Sequence, residues 1–261
     1  MGSRTYRAEG IVLRTLDLGE ADRILTLLTR HFGKVKVVAK GIRRPTSRLA
    51  GHAEPLSHAT FQLARGRELD VLTGAEPRST YRALREDLDR IAAAWYIVEI
   101  ADRSTAERAP AAPVFDLVET ALRHLEAGHP PSLVCRWWDL HLLDRTGSRP
   151  ELSACARCQG SLHETTNGWD PLEGGAVCTG CIDRSVVGLP ALSVRALKSL
   201  RYLLVSDFAG AARLRLDPAL EAELERHLRA FLQHVLEREI ASARLIDELA
   251  RLPRRPSPQL S

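Results

Sequence analysis

Four of the five cysteines in the chain have a spacing that is typical of a metal-binding site. Cys155 and Cys158 form one C-x-x-C pair, and Cys178 and Cys181 form a second, with 19 residues between the pairs. Two residues between cysteines let both sulfurs reach one ion from a single tight turn, and two such turns complete a tetrahedral set of four thiolates. The spacing therefore predicts one bound Zn²⁺ ion.

We expect this zinc site to be structural. Four cysteines fill the coordination sphere and leave no position for water or a substrate. Gly160 and Gly180 supply the permissive backbone that such turns need. His163, between the pairs, is an alternative ligand, although an exposed loop histidine is the simpler interpretation. The fifth cysteine, Cys135, is interpreted as a small buried apolar residue.

A run of basic residues is the second chemical feature. The segment 23–48 contains no acidic residue, whereas its basic residues are Arg23, Arg30, Lys34, Lys36, Lys40, Arg43, Arg44 and Arg48. On an extended strand Lys34 and Lys36 share one face, about 6.6 Å apart, and Lys40 continues it. Such a surface follows a phosphate backbone without reading sequence. The alternative is a solvated strand face that prevents edge-to-edge aggregation.

The distribution of charge favours nucleic acid. Residues 1–80 contain 14 Lys and Arg against 8 Asp and Glu, whereas the remaining chain contains 23 against 25. The positive excess therefore lies in the first third, as in a nucleic-acid-binding domain joined to a neutral partner. We add Arg14 in this region to the candidate DNA-binding residues.

Short strands must position these basic residues. Apolar runs occur in Tyr6–Leu16, Arg23–Arg30 and Lys34–Lys40, then around Phe61 and at Leu69–Val71. Val35, Val37 and Ala39 alternate with the lysines at period two, and glycines separate the runs. Five short strands in fewer than 80 residues predict a small barrel, with the OB-fold as the leading candidate.

The rest of the chain has mostly helical periodicity. Apolar residues recur every three or four positions from Leu84 to Val98, from Phe115 to Leu125 and from Leu133 to Leu143, and again after Pro190. Asp217-Pro218 is a good helix start, since it offers an N-cap and a proline at the first helical position.

These patterns predict an α+β multi-domain protein in which an N-terminal OB-fold β-barrel precedes an α-helical domain with an inserted four-cysteine zinc module. The expected divisions are a barrel over 1–79, helices over 80–150, the zinc module over 151–188, more helices over 189–252 and a disordered tail over 253–261.

Several function classes lack a sequence signature. The chain has no phosphate-binding G-x-x-x-x-G-K-[ST] loop, no G-x-S-x-G and no H-E-x-x-H. This favours a protein that is not an enzyme. No apolar run approaches the length of a membrane span, and the first ten residues have no apolar core of a signal peptide, so we expect a cytoplasmic protein.

Several segments of the N-terminal third carry a recognisable pattern: Glu9–Leu13, residues 19–30, Gly33-Lys-Val-Lys36 with Ala39-Lys-Gly41, and the loop 43–49. In these segments the chain resembles the RecO family of DNA repair and recombination mediators. The order of barrel, helices, four-cysteine insertion and further helices is also similar to this family.

The resemblance implies binding to single- and double-stranded DNA and annealing of complementary strands. It implies partnership with RecR, contact with the C-terminal tail of single-stranded DNA-binding protein, and loading of RecA, with RecF involved indirectly. A nucleoid-associated protein is then expected.

The rival interpretations are a nuclease with an accessory zinc ribbon, which would need carboxylates near the basic groove, and a zinc-ribbon transcription or translation factor.

Overall fold

A closed five-stranded barrel forms the first part of the chain. The computed structural model describes residues 4–183, 188–237 and 240–251. The barrel strands are β1 (Thr5–Leu18), β2 (Asp22–Thr29), β3 (Gly33–Ala39), β4 (His58–Ala64) and β5 (Asp70–Ser79). Their order is β1-β2-β3-β5-β4, closed by the pairing of β4 with β1. Strands β3 and β5 pair in parallel, and the other neighbours are antiparallel. The expectation of a five-stranded OB-like barrel is confirmed.

Alternation along the strands fills the barrel. On β3, Val35, Val37 and Ala39 are buried and join the barrel core, whereas the residues between them are partly exposed. Leu25 and Phe61 contribute to the same core. The period-two pattern of the sequence is thus confirmed at this strand.

The helices build a second body against the outside of the barrel. They are α1 (Arg82–Arg85), α2 (Leu88–Ser104), α3 (Ala112–Glu126), α4 (Pro131–Arg145), α6 (Val194–Val205), α7 (Phe208–Ala211), α8 (Pro218–Leu236) and α9 (Ala241–Arg251), whereas the short helix α5 (Thr179–Ile182) lies in the cysteine segment. The core of this body includes Ile11, Leu13 and Leu28 from the outer face of β1 and β2. One side of the barrel is therefore covered by helices.

Capping residues fix where two helices begin. Asp217 accepts a hydrogen bond from the backbone N–H of Leu220 at 3.0 Å, so the expected start of α8 is confirmed. The apolar stripe that begins at Leu84 is divided between α1 and α2, because the side chain of Asp87 caps a new helix at Leu88.

A small sheet supports the cysteine segment. Its strands are β6 (Asn167–Asp170), β7 (Gly175–Val177) and β8 (Ala191–Leu192), in the order β7-β6-β8. The tail 253–261 that we expect to be disordered lies outside the described residues. Within the described part, every helix is too short or too polar to cross a lipid bilayer.

Candidate metal centre and candidate nucleic-acid surface

The two C-x-x-C pairs converge on one point. The sulfur atoms of Cys155, Cys158, Cys178 and Cys181 all lie within 4.8 Å of one another. The Sγ atoms of Cys158 and Cys178 are 3.8 Å apart. Metal–sulfur bonds of about 2.3 Å in a tetrahedron place sulfurs about 3.8 Å from one another. The four side chains thus fit a tetrahedral metal ion.

Two different turns present the cysteines. In the first, the backbone N–H of Gln159 donates to the carbonyl of Cys155 at 2.9 Å, and Gln159 has the left-handed φ of 59°. In the second, α5 begins directly after Cys178, and the N–H of Cys181 donates to the Cys178 carbonyl at 3.0 Å.

The expected roles of the two glycines need correction. The left-handed residue of the first turn is Gln159, whereas φ of Gly160 is not positive; a Cβ on Gly160 would lie 3.3 Å from the Cys158 sulfur. Gly180 lies within α5, with open space around the position of a Cβ. Close approach to a sulfur favours glycine at position 160, while nothing local requires it at 180.

Hydrogen bonds already favour thiolate in part of the cluster. The N–H of Cys178 points to the sulfur of Cys155 at 3.3 Å. Burial raises the pKa of Cys155, but backbone hydrogen bonds from Cys178, Cys158 and Arg157 outweigh it and lower that pKa to about 6. The hydrogen bond with Cys158, together with burial, raises the pKa of Cys181 to about 12. A divalent cation would offset half of the negative charge of four neighbouring thiolates.

The cysteine segment is anchored to its surroundings by side chains that the spacing does not reveal. Arg157, between the first two cysteines, donates to Asp170 of β6 at 2.6 Å. The indole of Trp169 is buried and donates to the carbonyl of His227 in α8 at 3.0 Å. Arg201 of α6 donates to the carbonyl of Leu152 at 2.7 Å. The metal centre is therefore tied to the helical body.

The other candidate ligands lie apart from this cluster. His163 is exposed and is not among the clustered donors of the described residues. Cys135 is 2% exposed in α4, and burial raises its pKa to about 12. Its interpretation as a buried apolar residue is confirmed.

The predicted DNA-binding residues fall into two groups, and the first is ion-paired with the helical body. Lys34 lies 3.0 Å from Asp102 of α2 and is 12% exposed. Arg14 lies 2.9 Å from the same carboxylate. Lys36 pairs with Glu107 in the loop that joins α2 and α3. That loop approaches β3 so closely that a Cβ on Gly33 would lie 1.8 Å from the carbonyl oxygen of Ala109.

Three arginines are also paired. Arg30 lies 2.5 Å from Asp116 of α3. Arg23 lies 2.8 Å from Asp17 and 2.7 Å from Glu54, and Arg43 lies 3.4 Å from Asp17. Phosphates would have to compete with these carboxylates.

The second group is open. Lys40, Arg44 and Arg48 are exposed, and none of them forms an ion pair with another described residue. They lie on the segment that leaves β3, at the end of the barrel away from Lys34. Among the described residues, no carboxylate competes with an anionic ligand for these three side chains.

Comparison with known proteins gives the same family for both parts of the chain. The family model "Recombination protein O N terminal" matches residues 1–81, and "Recombination protein O C terminal" matches residues 85–244. The "DNA repair protein RecO" of Roseiflexus sp. (strain RS-1) is 43% identical over 258 residues, which is 99% of this chain and 90% of that protein. The protein of the same name from Symbiobacterium thermophilum is 38% identical, over 94% of this chain and 97% of the relative.

Proposed function

The chain belongs to the RecO family of DNA repair proteins, and from this premise we propose that it is a recombination mediator. In this proposal it binds single- and double-stranded DNA and anneals complementary strands. It cooperates with RecR to load RecA onto strands coated by single-stranded DNA-binding protein, with RecF involved indirectly. It then works in the cytoplasm, in association with the nucleoid.

The observation that carries the DNA-binding proposal is the open basic loop after β3. Lys40, Arg44 and Arg48 are exposed and have no carboxylate partner among the described residues. Contacts between such cations and phosphates release counterions and are indifferent to sequence. Two strands repel each other through their phosphates, so a basic surface that neutralises one strand lowers the barrier to pairing with its complement.

We propose further that the mediator is not an enzyme and that its metal is zinc. The four thiolates would occupy all four positions of a tetrahedral ion, which leaves zinc a structural role. Incubation of labelled DNA with the protein and Mg²⁺ tests the first point, because a nuclease would shorten the DNA. Elemental analysis of protein purified without chelators tests the second, with an expected content of about one zinc per chain.

The proposal also includes two partner proteins. The C-terminal tail of single-stranded DNA-binding protein is acidic and ends in apolar residues, so it suits an apolar pocket with a basic rim. Annealing of coated strands, with intact and with tail-deleted coating protein, tests this contact. Equal annealing rates with the intact and the tail-deleted protein would contradict the contact with the tail. A pull-down with RecR tests the second partnership.

Charge reversal provides the main test of the DNA surface. We expect the triple variant Lys40→Glu, Arg44→Glu, Arg48→Glu to lose most of its affinity for both single-stranded and duplex DNA, to anneal slowly, and to show a flatter dependence of log K on log salt. The matched control reverses three exposed cations of the helical body, Arg213, Arg215 and Arg226, none of which is ion-paired with a described residue. Equal losses in both variants would contradict the role of the loop.

A further inference from the structure

A row of apolar side chains crosses the outer face of the barrel beside the basic loop. Leu16 of β1 is opposite Ile24 of β2, Ile24 is opposite Val38 of β3, and Val38 is opposite Val71 of β5. Because cross-strand partners point to the same side of a sheet, these four residues form one line, which we call the apolar row. With strands about 4.8 Å apart, it is about 14 Å long.

The apolar row is open to solvent. Leu16 is 63% exposed, and Ile24, Val38 and Val71 are partly exposed. Within the described chain, none of the four belongs to, or packs against, the two large buried clusters. Leu28 shows the contrast, since it lies further along the same face of β2 and is covered by the helical body.

The two sides of the apolar row differ in charge. On the side of the helices, Arg14, Thr26 and Lys36 form the next row, in which Asp102 and Glu107 neutralise both cations. On the other side, β1 and β2 continue to Leu18, which is 44% exposed, and to Asp22.

The chain then leaves β3 as the basic loop. The carboxylate of Asp22 accepts the N–H of Gly41 at 2.7 Å and so holds the beginning of this loop. The open cations of the basic loop therefore border the apolar row on this side. Rows two residues apart on a strand are about 6.6 Å from each other.

We propose that the apolar row contacts the bases of single-stranded DNA while Lys40 and Arg44 hold its phosphates. This inference rests on the proposed function and assigns the chemistry of recognition at the same surface. An unpaired base exposes an apolar face, and removing that face and the apolar row from water together is favourable. In a duplex the base faces are already stacked on each other, so the row would meet only sugar and phosphate. The row thus gives the barrel a preference for single strands that charge alone does not provide.

Size and charge favour DNA over a protein partner here. A stable protein interface covers about 800 Å² on each partner, whereas the apolar row is one side chain wide. Its open border is cationic, which suits a ligand with a regular line of negative charge.

The double variant Leu16→Asn, Val38→Thr tests the proposal. Both positions are at the surface and the threonine keeps a β-branched side chain, so the barrel should stay folded. We expect affinity for a single-stranded oligonucleotide to fall about ten-fold, in keeping with the loss of one favourable base contact. Affinity for a duplex of the same length should change less than about two-fold, and the salt dependence should not change, because no phosphate contact is lost.

Controls separate this inference from the proposed function. The variant Leu172→Asn, Val205→Asn removes two apolar side chains that are 79% and 73% exposed elsewhere on the molecule, and it should bind DNA normally. A fluorescent base analogue in the single strand supplies a second readout, since its emission should respond to the native protein more than to the row variant. Thermal unfolding confirms that each variant is folded.

Each remaining outcome overturns the inference. Unchanged affinity for single strands would remove the apolar row from DNA binding. Equal losses on single and duplex DNA would contradict base contact. A change in oligomeric mass or in capture of RecR, with normal DNA binding, would make the row a protein interface. The proposed function fails separately, if reversal of Lys40, Arg44 and Arg48 leaves DNA binding intact.

Discussion

The cysteines of the metal centre and the basic residues of the barrel are both clustered in the sequence. The fold brings the cysteines together but divides the basic residues between two environments. Four thiols separated by as many as 26 positions come within 4.8 Å of one another. The basic residues of 14–48, which are close in sequence, are divided between ion pairs such as Lys34 with Asp102 and the open loop around Arg44. Metal ligation needs a geometry that two short turns can supply locally. The availability of a charge depends on which distant residues pack against it.

The largest effect in this comparison concerns the metal. We expect Cys155→Ser to reduce the zinc content well below one per chain and to lower the melting temperature, because binding of structural zinc contributes about 10 kcal/mol or more to the folding of small zinc domains. Hydrogen exchange should locate the loss in residues 151–183 rather than in the barrel, whose buried core is separate from the cysteine cluster. Zinc analysis, calorimetry and exchange mass spectrometry provide the measurements.

Cys135→Ala is the matched control for this experiment. It removes a thiol that is buried in α4 and lies outside the clustered set. We expect it to keep its zinc even if the small cavity costs some stability. Full zinc binding by Cys155→Ser would contradict the four-thiolate assignment.

The next effect separates two lysines of one strand face. Lys34→Ala should lower the free energy of unfolding by about 1–3 kcal/mol, since it leaves the partly buried Asp102 with one cation fewer. Lys36→Ala should cost only about 0–1 kcal/mol, because both members of its ion pair are more exposed, at 37% and 53%. Urea unfolding of the two variants gives the difference. Equal losses in the free energy of unfolding would mean that the contact of Lys34 with α2 adds no more stability than the exposed ion pair of Lys36.

Periodicity and end signals account for the parts of the fold that the sequence predicts. The alternation of Val35, Val37 and Ala39 identifies β3, and Asp217 marks the start of α8, because both signals act within a few residues. The spacing of the cysteines identifies the candidate metal site for the same reason.

Tertiary packing accounts for what the sequence does not reveal. The ammonium group of Lys34 contacts Asp102, which is 68 positions away, and no residue near Lys34 in the sequence indicates this contact. The apolar row depends on the register of β1, β2, β3 and β5, and the parallel pairing of β3 with β5 has no local signal. The sequence suggests Gly160 as the residue with a permissive backbone in the first cysteine turn, whereas the left-handed φ belongs to its neighbour Gln159.

A smaller effect distinguishes paired from open cations in DNA binding. We expect Lys40→Ala to leave the free energy of unfolding unchanged within about 0.5 kcal/mol and to reduce the slope of log K against log salt by about 1. Lys36→Ala should reduce that slope less, because Glu107 already compensates the charge. Titrations of a labelled strand at several salt concentrations measure both slopes. A larger reduction of the slope for Lys36→Ala than for Lys40→Ala would contradict the distinction between paired and open cations.

The smallest expected effect is a pH dependence where the barrel meets the helices. His58 of β4 is 4% exposed; it lies 3.2 Å from Glu9 and stacks on Tyr81 at 6.5 Å between ring centres. Burial lowers the pKa of His58, and the hydrogen bond with Glu9 opposes this shift without cancelling it.

Because the pKa of His58 is lower in the folded chain than in the unfolded chain, the unfolded state binds the proton more readily. The contribution of His58 to stability is therefore complete above about pH 6.5 and is lost as the pH falls through its folded value. We expect the free energy of unfolding of His58→Gln to depend less steeply on pH than that of the native protein as the pH falls below about 6.5. His31→Gln, on the exposed turn between β2 and β3, should leave the native slope unchanged. Parallel slopes for the native protein and His58→Gln would show that other groups dominate the acid sensitivity of this junction.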